Sequence, residues 1–191
     1  MSTIPEVDFA LYADGPVTQA FQQTGITRFA KAVNYVRRIR YGRISDRNNC
    51  MLVLHEQRGT CSSKHQLLAL LAEENGRTDV QLIELLFRMH EANVPGTGAI
   101  LARYNLEYMP EAHNYLRVGD AIIDATSETI LIEYITDRIS ETPVSPRRTT
   151  EEKMAAHRAY LEYWRNTHTQ AAAYTTEQLY NIRENCIAAI A

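Results

Sequence analysis

Cys61 is the residue of this sequence best placed for nucleophilic chemistry. It follows Gly59 by two positions and precedes an apolar run at residues 67–72, a pattern that predicts the start of a buried helix. The first turn of a helix favours a thiolate, because its unpaired N–H groups and the positive end of the helix dipole stabilise negative charge. Gly59 would let the backbone approach a substrate closely, and Arg58 and Lys64 are nearby cations. We therefore interpret Cys61 as a candidate nucleophile.

The other cysteines, Cys50 and Cys186, lack this setting and are interpreted as small buried hydrophobic residues. Three cysteines without a Cys-x-x-Cys pair argue against a disulfide framework or a structural zinc site. The sequence has no His-Glu-x-x-His motif, and the glycine-containing stretch at 96–100 does not match a phosphate-binding loop. We therefore expect no metal site and no cofactor.

A histidine and an aspartate suited to serve Cys61 lie on either side of a predicted hairpin turn, Gly119-Asp120. A two-residue turn pairs Val118 with Ala121, and the same register makes His113 and Asp124 diagonal neighbours on one face of the sheet. Such neighbours lie about 7–8 Å apart between backbones, within reach of a side-chain hydrogen bond. The spacing therefore predicts an imidazole bonded to a carboxylate.

These three residues meet the requirements of a thiol acyl-transfer site. One imidazole nitrogen of His113 accepts the thiol proton, and the other donates to Asp124, which fixes the tautomer and the ring direction. The oxyanion needs donors, for which we consider the Cys61 backbone N–H and the side chain of Gln57. Tyr115, on the sheet face of His113, is a candidate for lining the substrate pocket. Two alternatives stay open, a solvated loop glutamine at Gln57 and a packing role for Tyr115.

The segment GTCSSKHQLLALLAEENG, followed by AHNYLRVGDAIIDAT, resembles the core of the transglutaminase-like, papain-related superfamily. Gly59-Thr60-Cys61, His113 and Asp124-Ala125-Thr126 match the G-x-C, histidine and D-x-T positions of that family in the same order. The resemblance covers residues 57–127. The sequence departs from the family in the short interval between His113 and Asp124, and in having Tyr115 and Ile122 where tryptophans are common.

The resemblance implies an α+β, papain-like fold in which a central Cys-bearing helix packs on an antiparallel sheet. It implies an enzyme, a cysteine peptidase, amidase or transglutaminase-like acyltransferase, that forms a thioester on Cys61. Hydrolysis of a peptide or amide bond is favoured, with a peptide, protein or small amide as substrate. Three alternatives remain open: protein cross-linking, chemistry like that of an arylamine N-acetyltransferase, which Arg58-Gly59-Thr60-Cys61 resembles, and a non-catalytic binding domain of the same fold.

The elements that must position these residues follow from periodicity and capping. Apolar residues from Ile26 to Val36 predict a first helix, and the Cys61 helix is predicted to end before Gly76. Patterns close to period two predict strands from residue 80 and at 99–106, 112–118 and 121–126. Capping-box spacing predicts two C-terminal helices, which open at Thr149 with Glu152 and at Thr175 with Gln178. The apolar face of the last helix comprises Leu179, Ile182, Cys186 and Ile190.

Composition predicts a catalytic core with a short extension. The 191 residues are 45% hydrophobic and carry a formal net charge of −3, so no overall field attracts nucleic acid or an anionic membrane. The arginines at 37, 38, 40 and 43 are expected near the negative end of a helix. We predict a transglutaminase-like core at 1–145, including the N-terminal helix, and a helical extension at 146–191. An acidic N-terminus without an apolar segment, and unpaired cysteines, predict a cytoplasmic protein.

Overall fold

The computed structural model describes residues 7–128 and 135–189. In this part of the chain the helices are Pro16–Gln23 (α1), Phe29–Arg38 (α2), Leu52–Glu56 (α3), Cys61–Glu74 (α4), Gly98–Arg103 (α5), Thr150–Thr167 (α6) and Thr176–Ala189 (α7). The strands are Arg40–Tyr41 (β1), Arg58–Gly59 (β2), Gln81–Met89 (β3), Met109–Val118 (β4), Ala121–Ile123 (β5) and Arg138–Pro143 (β6). The predictions of a first helix, of the Cys61 helix and of strands from residue 80 and around 112–118 are confirmed.

The hairpin that carries the candidate base and acid has the predicted register. β4 and β5 are antiparallel and pair Leu116 with Ile123 and Val118 with Ala121. Gly119 has a φ of 54°, as a two-residue hairpin turn with glycine at its first central position requires. The larger sheet has the order β5-β4-β3-β6, while β1 and β2 form a separate parallel pair. The α+β class with an antiparallel hairpin is therefore confirmed.

Helix α4 is central, as its apolar character on all sides predicted. Its middle is buried at Leu67, Leu68, Ala69, Leu71 and Ala72 and partly buried at Leu70. These residues share one hydrophobic core with side chains of α1, α2 and the β4–β5 hairpin, among them Phe21, Phe29, Val36, Leu116 and Ile123. Gly76 follows the end of α4 with a φ of 72°, the left-handed conformation that glycine adopts at low cost. The candidate nucleophile therefore opens a helix whose middle is anchored in this core.

The strand predicted at residues 99–106 is wrong, because the chain forms α5 there. The Glu91 carboxylate accepts the backbone N–H groups of Gly96 and Gly98, the latter at 2.6 Å, and so caps the start of the helix. The N–H of Leu101 donates to the carbonyl of Thr97 at 3.0 Å and closes the first turn. Alanine, leucine and arginine are also good helix formers. Local capping and propensity therefore prevail over the approximate period of two.

Helix α1 was not predicted from the sequence, because its cap comes from a distant residue. The Glu74 carboxylate, at the end of α4, accepts the N–H groups of Val17 at 3.1 Å and Thr18 at 2.7 Å. A Cβ on Gly15 would come within 2.2 Å of that carboxyl group. The partners are more than fifty positions apart in the chain, so the local pattern did not reveal this helix. Helix α3 and strand β6 were likewise not predicted.

Both C-terminal helices begin as their capping boxes predicted. The N–H of Glu152 donates to Thr149 Oγ1 at 3.2 Å, and the Glu152 carboxylate accepts the N–H of Thr149 at 2.8 Å. Thr175 and Gln178 make the same reciprocal pair of bonds, at 3.2 Å and 2.8 Å. Leu179, Ile182 and Cys186 form the buried face of α7, while Ile190 lies outside the described residues. Helix α7 packs against α6, so the helical pair is confirmed.

The chain forms two compact units that alternate along the sequence. Of the described residues, the first unit contains 7–84, 113–128 and 142–148, and the second contains 85–112, 135–141 and 149–189. The boundary predicted near residue 146 corresponds to one of several points at which the chain passes from one unit to the other. The first unit holds α4 and the β4–β5 turn, and therefore all three candidate catalytic residues. In the described ranges, no helix has both the length and the apolar character needed to cross a membrane.

Candidate active site

Cys61 is the first residue of α4, directly after the N-cap Thr60, which has extended backbone angles. The Thr60 N–H donates to Ser63 Oγ at 3.0 Å, which fixes the entry of the chain into the helix. Cys61 is half-buried, whereas Cys50 and Cys186 are buried. Burial raises the pKa of the Cys50 thiol and of the Cys186 thiol to about 11 each. Of the three cysteines, Cys61 alone combines accessibility with a helix start.

The predicted bond between His113 and Asp124 is present. Nε2 of His113 lies 2.8 Å from Oδ2 of Asp124, and each of the two residues is only 7% exposed. The second carboxylate oxygen of Asp124 accepts the backbone N–H of Thr126 at 2.9 Å. The aspartate is thereby oriented by its own chain on one side and by the imidazole on the other.

His113 is also hydrogen-bonded to Cys61. Because Nε2 is engaged by Asp124, Nδ1 is the ring nitrogen left for the bond to the sulfur. The imidazole therefore connects thiol and carboxylate through its two nitrogens, which is the arrangement that a general base with an orienting acid requires. The structure thus brings together the three residues that the sequence predicted from separate motifs.

The charges of the three groups reinforce one another in a buried setting. Burial disfavours the imidazolium, but the Asp124 carboxylate and the Cys61 sulfur, with their hydrogen bonds, raise the pKa of His113 well above its ordinary value. Burial also disfavours the Asp124 carboxylate, yet the charge and hydrogen bond of His113 keep the pKa of Asp124 well below its ordinary value. The geometry therefore favours a charged imidazolium next to a charged aspartate, with the thiol as the third member of a coupled set.

Gln57 and Tyr115 lie in settings that give their predicted roles no support. Nε2 of Gln57 donates to Tyr35 Oη at 2.9 Å and to the Leu54 carbonyl at 2.7 Å, so the side-chain amide is already engaged. Gln57 itself is exposed and has a φ of 50°. Tyr115 is fully buried, and its hydroxyl accepts a hydrogen bond from the Arg117 guanidinium. An oxyanion role for Gln57 and a pocket-lining role for Tyr115 stay predictions.

The absence of a side chain at Gly59 is required by buried neighbours within the protein. A Cβ at this position would lie 2.9 Å from Cγ of Lys64 and 3.1 Å from both Ser63 Oγ and Val53 Cγ2. The glycine therefore makes room for the stem of a buried lysine, whereas the sequence had suggested room for a substrate. Nearby, Arg58 pairs with Glu56 at 2.8 Å.

Two consecutive buried residues of α4 have roles that the sequence did not reveal: Lys64, which it indicated only as a cation near Cys61, and His65, which it did not single out. Both side chains are fully buried, and both bond to the segment that begins with Asp124. Two signals pointed to them. Lys64 comes three residues before the run at 67–72 that is apolar on all sides and buries the helix, and His65 lies one helical turn after Cys61, on the same face.

A further contact that the sequence did not reveal joins the neighbours of Cys61 and His113. Ser62, next to Cys61, donates its hydroxyl to Asn114 Oδ1 at 2.6 Å, and Asn114 is next to His113. Nδ2 of Asn114 donates to the Ile83 carbonyl at 3.2 Å, which extends the connection to β3. These bonds tie the start of α4 to the strand that carries the base.

No family model, curated protein or solved structure matches the chain in the three comparisons made. The chemistry of the site therefore has to follow from its own geometry. That geometry offers a half-buried thiol, a base in contact with it and a buried acid behind the base.

Proposed function

We propose that this protein is a thiol-dependent acyl-transfer enzyme, with Cys61 as nucleophile, His113 as general base and acid, and Asp124 as the orienting carboxylate. The observation that carries the proposal is the double engagement of His113, which bonds to Asp124 through Nε2 and to Cys61 through its other nitrogen. An imidazole held in this way activates a thiol without further cofactors. A Cys-bearing helix beside an antiparallel hairpin supports a papain-like, transglutaminase-like architecture for the unit.

The proposed reaction begins with attack of the Cys61 sulfur on the carbonyl carbon of a peptide bond or carboxamide. The tetrahedral oxyanion is stabilised by donors at the start of α4, among them the backbone N–H of Cys61. The carbon–nitrogen bond then breaks, and the departing amine takes a proton from the His113 imidazolium. The products of this half-reaction are a thioester on Cys61 and a free amine, with His113 neutral.

The second half-reaction resolves the thioester. A water molecule gives a proton to His113 as its oxygen attacks the carbonyl carbon, and the carbon–sulfur bond breaks to release a carboxylic acid. A primary amine in place of water would form a new amide, as in protein cross-linking. We favour hydrolysis, because the resemblance at Gly59-Thr60-Cys61, His113 and Asp124-Ala125-Thr126 is to compact, hydrolase-like members of the transglutaminase-like superfamily.

The test is labelling with a panel of peptide and glutamine-carboxamide electrophiles, with the modified residue identified by mass spectrometry. We expect wild-type protein to be labelled at Cys61, and Cys50→Ala to be labelled to the same extent. Cys61→Ser should lose the label, and His113→Ala should react much more slowly. Equal labelling of all three cysteines, or no effect of His113→Ala, would contradict the proposal.

A peptide whose electrophilic derivative labels Cys61 is then used, without the electrophile, to distinguish hydrolysis from transfer. This unmodified peptide is incubated with the protein, with and without a primary amine, and the products are identified from their masses by mass spectrometry. Acid as the main product in both reactions supports hydrolysis. A new amide as the main product would replace hydrolysis with transfer while keeping the same three residues.

A further inference from the structure

The segment after β5 places the catalytic acid, yet it lies beyond the strand pairing of the hairpin. β5 ends at Ile123, and the paired positions of β4 and β5 end there as well. The backbone groups that follow Asp124 are held by side chains from helices. The N–H of Ala125 donates to His65, the carbonyl of Thr126 accepts from Lys64, and the carbonyl of Ser127 accepts from Arg37.

His65 makes the contact that bears most directly on the catalytic residues. Its Nε2 lies 2.7 Å from the N–H of Ala125, and its Nδ1 lies 2.7 Å from the carbonyl oxygen of Cys61. Because a backbone N–H can only donate, Nε2 must be the acceptor and carry no proton. The proton is therefore on Nδ1, which donates to Cys61. One neutral imidazole thus links the backbone of the nucleophile to the residue after the acid.

Burial keeps this imidazole neutral. His65 is fully buried, and burial lowers its pKa to about 4, even though Asp124 acts in the opposite direction. Nε2 also lies 3.5 Å from Oδ1 of Asp124, but the lone pair of Nε2 is already used by Ala125. His113 and Lys64, the other charged groups that act on His65, both favour its neutral form. The bridge is therefore intact at neutral pH.

Lys64, the residue before His65, provides a second connection between α4 and the segment after Asp124. Its ammonium group is fully buried and donates to the Thr126 carbonyl at 2.7 Å and to the Ile39 carbonyl at the end of α2. Two consecutive residues of α4 therefore hold two consecutive residues of the acid-bearing segment. Gly59 leaves the space through which the lysine stem passes.

We propose that His65 is a positioning residue of the active site, which fixes the separation between Cys61 and Asp124 by bridging the carbonyl of Cys61 and the N–H of Ala125, the residue after Asp124. This inference rests on the proposed function, because it assigns His65 a role in the Cys61–His113–Asp124 arrangement. His113 can engage sulfur and carboxylate together only if both lie at the correct distance from its ring. Small displacements of catalytic groups cause large losses of rate.

The test compares His65→Leu, which removes both hydrogen bonds, with His65→Gln, whose amide offers one donor and one acceptor. The readout is the rate of Cys61 alkylation by iodoacetamide as a function of pH, which needs no substrate. We expect His65→Leu to react at least about 10-fold more slowly than wild type at pH 6, because its thiol reverts toward the free-thiol pKa of about 8.5. His65→Gln should retain the wild-type profile, and so should His55→Leu, a change at an exposed histidine of α3.

The outcomes separate this inference from the proposed function. If wild type and His113→Ala share one pH profile, the proposed function fails. If those two differ but His65→Leu follows wild type, or if His65→Gln is as slow as His65→Leu, the positioning role alone is overturned. If circular dichroism shows that His65→Leu does not fold, His65→Asn replaces it, because the shorter side chain keeps a donor near Cys61 but does not reach Ala125. Slower alkylation than wild type then supports the positioning role, and a wild-type profile overturns it.

Discussion

Nε2 of His113 and Oδ2 of Asp124 lie 2.8 Å apart, although the two residues are eleven positions apart in the chain and flank a hairpin turn. The turn at Gly119 sets the register of β4 and β5, and this register, continued one residue beyond Ile123, makes them diagonal neighbours. A shift of one residue in the pairing would move one of them to the other face of the sheet. The hydrogen bond therefore depends on a two-residue turn as much as on the two side chains.

Asp124→Asn should preserve the fold and lower turnover by roughly 10²–10⁴-fold, because an amide favours the wrong tautomer of His113. The asparagine oxygen can still accept the N–H of Thr126, so the local turn is retained. The measurement is kcat/KM on a substrate identified by labelling, with circular dichroism as the folding control. Turnover equal to wild type would remove Asp124 from the catalytic arrangement.

Iodoacetamide at neutral pH should modify Cys61 far faster than Cys50 or Cys186. The two buried thiols have a pKa of about 11, so little of either is thiolate at pH 7, whereas Cys61 is half-buried and bonded to His113. Peptide mass spectrometry after a timed reaction gives the three rates. Similar rates in the folded protein would contradict the assignment of Cys61 as the reactive thiol.

The pH dependence of Cys61 alkylation should differ between wild type and His113→Ala. In the wild type the imidazolium favours the thiolate, so the reaction should persist well below the free-thiol pKa of about 8.5. The variant retains only the effect of the helix terminus, typically under about 1 kcal/mol at an exposed site. Its profile should therefore move to higher pH. Superimposable profiles would mean that the two residues do not interact.

Gly59→Ala should lower the free energy of unfolding by about 1–3 kcal/mol, because the added methyl group overlaps the buried stem of Lys64. Gly42→Ala is the matched control, since a Cβ there has its nearest neighbour at 3.8 Å, on Arg58. Urea unfolding of both variants gives the comparison. Equal stabilities would show that the space beside Gly59 is not restricted by the lysine.

Acid should destabilise the protein through His65 before it protonates Asp124. The pKa of His65 falls from the ordinary 6.5 to about 4 on folding, so between these values the unfolded chain binds a proton that the folded chain does not. The free energy of unfolding therefore decreases as the pH falls through this window, by about 3 kcal/mol at most. His113 adds little slope below about pH 5.5, where it is protonated in both states; nearer pH 6.5 its raised pKa gives a slope of the opposite sign, which wild type and any His65 variant share.

His65→Gln should flatten this dependence, because glutamine does not titrate. Urea unfolding at several values between pH 4 and pH 7, for wild type and variant, measures the two slopes. Parallel slopes would show that His65 is not the group that titrates in this window.

The sequence by itself determined those features whose physical cause is local. The Gly119-Asp120 turn determined the register of β4 and β5, which brings the chain at Asp124 alongside the strand that carries His113. The pairs Thr149 with Glu152 and Thr175 with Gln178 determined the starts of α6 and α7. In each case the partners are a few residues apart, or are brought together by a single tight turn, so their spacing in the chain also fixes their geometry.

Only the tertiary structure decided the features that depend on partners far apart in the chain. The Glu74 cap on α1, the hydrogen bonds of Lys64 and His65 to residues 125–126, and the engagement of Gln57 by Tyr35 join segments whose approach no local pattern encodes. His65 shows the physical reason most directly. An imidazole four positions after Cys61 acquires its tautomer, its low pKa and its proposed positioning role only when folding buries it between Cys61 and Ala125.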